Sequence, residues 1–316
     1  MPIEELTITI PPSLKGKRLD QALAELCPQH SRSRLQAWIK SGYITVNDRI
    51  PRQRDVVEGG ENISICAEFD SPEMTWGREA IPLDIIHMDK DIIIINKPPG
   101  LVVHPGAGNR EHTLLNALLY HIPELEQVPR AGIVQRLDKD TSGLMIIARS
   151  MTAHTYLVDQ LQKRLITREY RCIVSGVMTA GGSVDAPVGR HPVKRKRMAV
   201  SDSGKAAVTH YRVLKKFPAH TYIQLRLESG RTHQIRVHMA HIHYPVVGDK
   251  TYGGRQRIPK GAGAALIDRL QNFPRQALHA SKLEFTHPST GSIISWEAPL
   301  PDDMNLLLSL LETNGH

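Results

Sequence analysis

Cysteine is scarce in this chain: three among 316 residues, at Cys27, Cys66 and Cys172. They are scattered and form no Cys-x-x-Cys pair, which argues for reduced thiols in a reducing compartment rather than a disulfide framework. Aromatic residues are also few, at 5%, so aliphatic side chains must build the core. No apolar run approaches the ~20 residues that a membrane span needs; "DIIIIN" is among the longest. The opening "MPIEELTITIPPS" is acidic and lacks the apolar centre of a secretory signal. No Gly-x-Gly-x-x-Gly and no Gly-x4-Gly-Lys-Ser/Thr occurs, so the nicotinamide, flavin and ATP fingerprints are missing. Despite 16 histidines, no His-Glu-x-x-His stands in the chain, and no metal site and no cofactor are expected. Neither a long internal repeat nor a low-complexity block is found.

Positive charge is plentiful. The formal net charge is +8 and the pI about 9.4, which favours a polyanionic partner. With no membrane segment in view, nucleic acid is the better candidate, and a cytoplasmic monomer is the expectation. The length predicts two domains.

Local patterns divide the chain accordingly. "GKRLDQALAELCP" places Leu19, Leu23 and Leu26 at helical spacing. "SRSRLQAWIKSG" predicts a second helix, with Ser31 as N-cap and Gly42 beyond its end. Two short strands follow, in "YITVNDRIP" and "GGENISIC". Arg32 and Arg34 lie among many basic residues of this unit, an arrangement suited to RNA. We place it at residues 16–69, with a turn-rich linker at 70–80 and a larger domain at 81–305. In that domain "DIIIINKPPG" and "GLMIIARS" predict strands buried on both faces. "HTLLNALLYHIP" and "TAHTYLVDQLQKRLI" predict helices, and "TYIQLRLESG" alternates as a strand with one polar face. "RTHQIRVHMAHIH" predicts a helix with Ile235, Met239 and Ile242 inside. Strands and helices mix without a βαβ rhythm, so the fold class is α+β.

Arg-Leu-Asp occurs twice. At Arg18-Leu19-Asp20 it opens a helix, where Asp20 offsets the free N–H groups and the dipole. At Arg136-Leu137-Asp138 it lies in a charged loop, "VQRLDKDTSGL", that feeds straight into a buried strand. From charge alone a solvated turn explains this second copy as well as a site does.

The wider pattern separates them. "GIVQRLDKDTSGLMIIA" resembles the signature of the RluA family of pseudouridine synthases, His-Arg-Leu-Asp-x-x-Thr-Ser-Gly. "INKPPGLVVHPG", "KRLITREYRCIVSG", "LESGRTHQIRVHMAHI", "PVVGDKTYGG" and "RQALHASKLEFTHP" are similar to further family segments and run in the same order. The first unit resembles an S4 RNA-binding domain. The resemblance implies a catalytic domain with a mixed, largely antiparallel sheet, behind a small N-terminal S4-like α/β domain. It implies isomerisation of uridine to pseudouridine in large-subunit ribosomal RNA, with no cofactor. It makes Asp138 the carboxylate that acts on the flipped-out uridine, Arg236 its ion partner and Tyr170 the ring stacked on the base. Arg136 matches the position that fills the gap left by the flipped base. Lys97 is a further candidate, for phosphate contact or for holding a loop. The family's histidine before Arg-Leu-Asp is Gln135 here, expected to keep a supporting hydrogen bond. Arg195, Lys196 and Arg197, in "RHPVKRKRMAV", are expected to contact RNA phosphates.

Two rivals stay open on the residues alone. One is an RNA-binding or ribosome-assembly protein without activity, the other a nucleoside hydrolase or glycosidase using Asp138.

Overall fold

The computed structural model describes residues 3–27, 32–68, 76–106, 109–194 and 197–313. The chain divides into two compact units, 1–75 and 76–316.

The first unit contains β1 (Ile3–Thr9), α1 (Leu19–Leu26), α2 (Arg32–Lys40), β2 (Ile44–Val46) and β3 (Asn62–Glu68). The three strands form an antiparallel sheet in the order β1-β3-β2. β1 therefore belongs to this unit although it precedes position 16, where the sequence pattern starts it; seven paired residues along β3 hold it there. Leu19, Leu23, Leu35, Trp38, Ile39, Ile44, Ile63 and Ile65 make the core. Asn47 and Asp48 both adopt positive φ, at 46° and 63°, as the mirror-image turn of a tight hairpin requires. Ser31, the expected N-cap of α2, lies outside the described residues.

Asp20 departs from its expected role. It sits in the first turn of α1, but no side chain caps that helix. Its carboxylate is completely buried and receives bonds from Arg18 (Nε 3.0 Å), Arg32 (Nη2 2.7 Å) and Gln36. Burial raises the cost of its charge, yet these donors hold its pKa below the ordinary carboxylate value. Asp20 thus ties α1 to α2.

The second unit contains β4 (Ile85–Met88), β5 (Ile92–Lys97), α3 (Leu114–His121), β6 (Ser142–Ala148), α4 (Met151–Gln162), β7 (Thr167–Ser175) and β8 (Gly182–Asp185). The chain continues through β9 (Val188–Arg190), β10 (Met198–Val200), β11 (Val208–Lys216), β12 (His220–Leu227) and α5 (Gln234–His241). It ends with α6 (Ala264–Gln271), β13 (Leu278–Thr286), β14 (Ile293–Glu297) and α7 (Asp302–Thr313). Nine strands form one sheet in the order β4-β5-β6-β13-β7-β12-β11-β8, with β14 beside β13. All its ladders are antiparallel except the short β6–β13 junction. β9 and β10 make a separate ribbon.

The local reasons are plain. β5 across 92–95 and β6 across 144–148 are continuously apolar because both faces are covered. β12 alternates, with Ile223 and Leu225 inside and Arg226 outside. Thr113 caps α3 in a reciprocal pair with Asn116, and Ser150 caps α4. α5 is buried almost throughout, including Gln234, Arg236 and His238. Its polar residues therefore need partners inside the protein.

Candidate active site

Asp138 lies in the loop that enters β6. That loop is tied from two sides. Lys139 O accepts from Gly100 N at 2.9 Å and from Lys97 Nζ at 3.0 Å. On the other side Gln276 Nε2 donates to Thr141 Oγ1 at 3.0 Å, and Ser142 Oγ pairs with His279 Nδ1 at 2.9 Å. Thr141 N closes a turn on Asp138 O at 3.0 Å. The Thr-Ser-Gly residues are therefore anchors under the loop, not a solvated turn.

One oxygen of Asp138 is taken. Arg236 Nη1 donates to Oδ2 at 2.9 Å. The rest of that guanidinium is fixed by Asp249: Nε donates to Oδ2 at 2.7 Å and Nη2 to Oδ1 at 2.9 Å. Asp249 also accepts from Thr251 N and Tyr252 N. Arg236 lies 5.1 Å from the centre of the Tyr252 ring. Burial opposes the charge on Arg236, but Asp249 and Asp138 together raise its pKa. Burial likewise opposes the charge on Asp249, and the guanidinium and two backbone N–H groups keep its pKa lowered.

The other oxygen of Asp138 faces His233. Met198 N donates to Tyr252 Oη at 2.9 Å, and that hydroxyl is also hydrogen-bonded to His233 Nδ1, 2.8 Å away. His233 Nε2 lies 3.9 Å from Asp138 Oδ1. Burial lowers the His233 pKa against the opposing pull of Asp138. His233 begins α5 in the left-handed region, with φ 58°, a local strain of the kind stored at functional positions.

Asp138, His233 and Arg236 line a cleft of about 1140 Å³, together with Tyr170, Arg136, Gln135 and Arg168. Tyr170 is 6% exposed, and burial raises its pKa. Arg136 is exposed, and its charge helps lower that of His233.

Two expectations are refined. Lys97 is 1% exposed and gives its protons to Pro98 O, Leu101 O and Lys139 O at 2.7, 2.9 and 3.0 Å. It cannot reach RNA; it holds the loop. Burial lowers its pKa to about 7, while the three carbonyls favour the charged form. Gln135 lines the cleft, but its side chain bonds to no described residue, because the half-open loop offers it no partner. Arg32 is exposed and is bonded to Asp20 through Nε and Nη2. Arg195 and Lys196 lie outside the described residues, as does the side chain of Arg34; Arg197 is half-buried.

Asp89, Asp91 and His287 bring potential ligand atoms within 4.8 Å of one another. Their hydrogen bonds argue against a metal there. His287 Nδ1 accepts from Ser289 N and Thr290 N at 3.2 Å, so its proton is on Nε2, pointing at Asp89 Oδ2 at 3.0 Å. That nitrogen has no lone pair to offer.

Residues 91–241 match the family model described as RNA pseudouridylate synthase. The chain is 56% identical over 302 residues to ribosomal large subunit pseudouridine synthase D of Pseudomonas aeruginosa, covering 96% of this chain and 94% of that one. It is 54% identical to the protein of the same name from Escherichia coli K12, over 98% of this chain and 95% of that one. The chain belongs to the RNA pseudouridylate synthase family. Solved structures of family members share its fold. Human RNA Pseudouridylate Synthase Domain Containing 4 matches with a TM-score of 0.57 at 25% identity, over 72% of this chain and 93% of that one. Human RNA Pseudouridylate Synthase Domain Containing 1 matches with a TM-score of 0.54 at 22% identity, over 74% and 96%. As a pseudouridylate synthase the chain is an isomerase.

Sequence reasoning overlooked Asp249, His233, Tyr252 and Arg168 in this synthase. Asp249 and Tyr252 do fall in "PVVGDKTYGG", a segment that matches the family; what could not be read was their convergence on Arg236.

Proposed function

We propose that this synthase isomerises uridine in large-subunit ribosomal RNA, with Asp138 as the acting carboxylate. The observation that carries the reading is the division of labour around Asp138: Oδ2 is held by Arg236, while Oδ1, with His233 Nε2 3.9 Å away, takes no hydrogen bond from the described residues. The printed names of the relatives supply the RNA class. The net change breaks the N1–C1′ bond, joins C5 to C1′ and moves one proton from C5 to N1. A carboxylate suits either attack on the sugar or support of positive charge on it. The uridine must leave its stack to reach Asp138. Tyr170, on the cleft wall, would then stack on the uracil, and exposed Arg136 would fill the vacancy. The first unit, S4-like and basic, would add RNA affinity. The cytoplasm is the compartment where such RNA is made in bacteria. Among the described residues no helix is long and apolar enough to cross a membrane.

The test is a large-subunit RNA transcript incubated with the protein and mapped for pseudouridine by carbodiimide-blocked reverse transcription. Wild type is expected to give discrete stops and Asp138→Asn none. Wild-type RNA without stops would remove the reading, and stops that persist in Asp138→Asn would remove the role of Asp138. Release of free uracil would favour a hydrolase.

A further inference from the structure

Arg168 has no place in the chemistry above. It is 8% exposed, yet it lines the cleft. Its Nε is buried without a hydrogen-bond partner. Among the described residues no carboxylate pairs with it. Glu228, in the same cleft, is committed to Arg164 and His210, each at 2.7 Å. Asp138 and Asp249 share Arg236. The other cleft arginines, Arg130, Arg136 and Arg231, are exposed and already solvated. A buried cation without an anion is costly, and protein interiors rarely leave one so. The missing anion is therefore expected from outside.

The surroundings support this. Arg168 and Tyr170 are two apart on β7, so both side chains leave the same face, ~6.6 Å apart along the strand. A base stacked on Tyr170 would bring its own backbone to Arg168. Gly230 makes the room: a Cβ there would lie 2.9 Å from Arg168 Nη1. A neutral uracil carbonyl would leave the positive charge unbalanced. A phosphodiester balances it and offers two oxygens to a planar fork.

We propose that Arg168 seats a phosphodiester flanking the flipped uridine, so that β7 holds the base through Tyr170 and its backbone through Arg168. The proposal rests on the functional reading above. Its test uses equilibrium binding as well as turnover, so the two can fail separately.

Synthetic RNAs carrying the mapped target uridine are made with a neutral methylphosphonate at each neighbouring phosphate in turn. For the wild-type chain one replacement is expected to weaken binding about tenfold or more. Arg168→Met should weaken binding of the unmodified RNA equally, and the same methylphosphonate should then cost nothing further. Arg168→Met should also melt no lower than wild type, since it removes an unpaired buried charge. Gly230→Ala displaces only the end of a flexible side chain; it should reproduce the binding loss and add nothing to Arg168→Met. Binding losses that multiply in Arg168→Met, or a wild type indifferent to every methylphosphonate, would overturn the proposal. A large fall in melting temperature with unchanged affinity would mark Arg168 as structural and overturn it too. Wild type that binds as expected but forms no pseudouridine would defeat the functional reading alone.

Discussion

Arg236 carries two jobs with one planar group. Its Nε and Nη2 edge is matched to Asp249, and Nη1 alone reaches Asp138. Asp249→Asn replaces one acceptor with an N–H pair facing the guanidinium. The fork would then swing and take Asp138 Oδ2 with it. The expected result is a loss of about 100-fold in single-turnover rate at saturating RNA, with RNA affinity unchanged. A stability loss of about 3 kcal/mol in urea unfolding should accompany it. A rate within twofold of wild type would show that Asp249 does not position the pair. Much of this site was visible beforehand. Asp138, Arg236, Tyr170 and Arg136 all line the one cleft, and each stood in a long motif. Asp249 and His233 did not announce themselves, because a carboxylate or an imidazole in a loop looks the same whether it faces solvent or a guanidinium. Gln135 shows the opposite error: a residue with hydrogen-bonding capacity was credited with a bond that the open loop does not provide. Of the two roles open to Lys97, phosphate contact and holding a loop, the sequence could not choose because lysine is so seldom fully buried; its three carbonyl partners decide for the loop.

At the scale of elements, strong periodicity was legible and pairing was not. β5, β6, β12, α3, α4 and α5 follow from apolar runs, alternation and caps. β13 could not be placed from its own residues, since its position between β6 and β7 is a property of the sheet. The β6–β13 junction is tight enough to restrict what can stand there. Gly143 has φ 116°, and a Cβ on it would lie 2.2 Å from Ala280 O and 2.6 Å from Ala280 N. Both contacts are backbone, so nothing flexible can yield. Gly143→Ala is expected to destabilise the second unit by roughly 3 kcal/mol, read as a lowered midpoint in urea. It should also slow turnover, because the Asp138 loop leads directly into this junction. An unchanged midpoint would mean that the two strands can part without cost. The first unit teaches a related lesson. Asp20 was rightly separated from Asp138, but it is a buried tie between two helices rather than a cap.

The whole molecule has a built-in sensitivity to acid. His220 is completely buried, both ring nitrogens lack hydrogen-bond partners among the described residues, and burial together with Arg257 lowers its pKa from 6.5 to about 4. Between those values the unfolded chain binds a proton that the folded chain refuses. Stability is therefore fully present above pH 6.5 and declines as pH falls towards 4. This one group accounts for about 3 kcal/mol at pH 4. His220→Leu should remove that loss, so that its melting temperature falls less than that of wild type between pH 7 and pH 4.5. Parallel declines in the two proteins would show that His220 is not the group responsible. Charge balance and length were sufficient to expect two units and an anionic partner. They carried no information on such interior groups, whose titration depends on neighbours far away in the chain.

The place of β13 in the sheet also sets an order of events. β6, which follows the Asp138 loop, and β7, which carries Tyr170, are not neighbours; β13 lies between them. That strand begins only at Leu278. A growing chain has made Asp138, Tyr170 and Arg236 long before it has the strand that joins their supports. A chain cut before Leu278 is therefore expected not to form pseudouridine, however much of the motif set it contains, and activity on refolding is expected to return only with the closing of the centre of the sheet. Catalysis in this molecule would then be a clock for the completion of its fold.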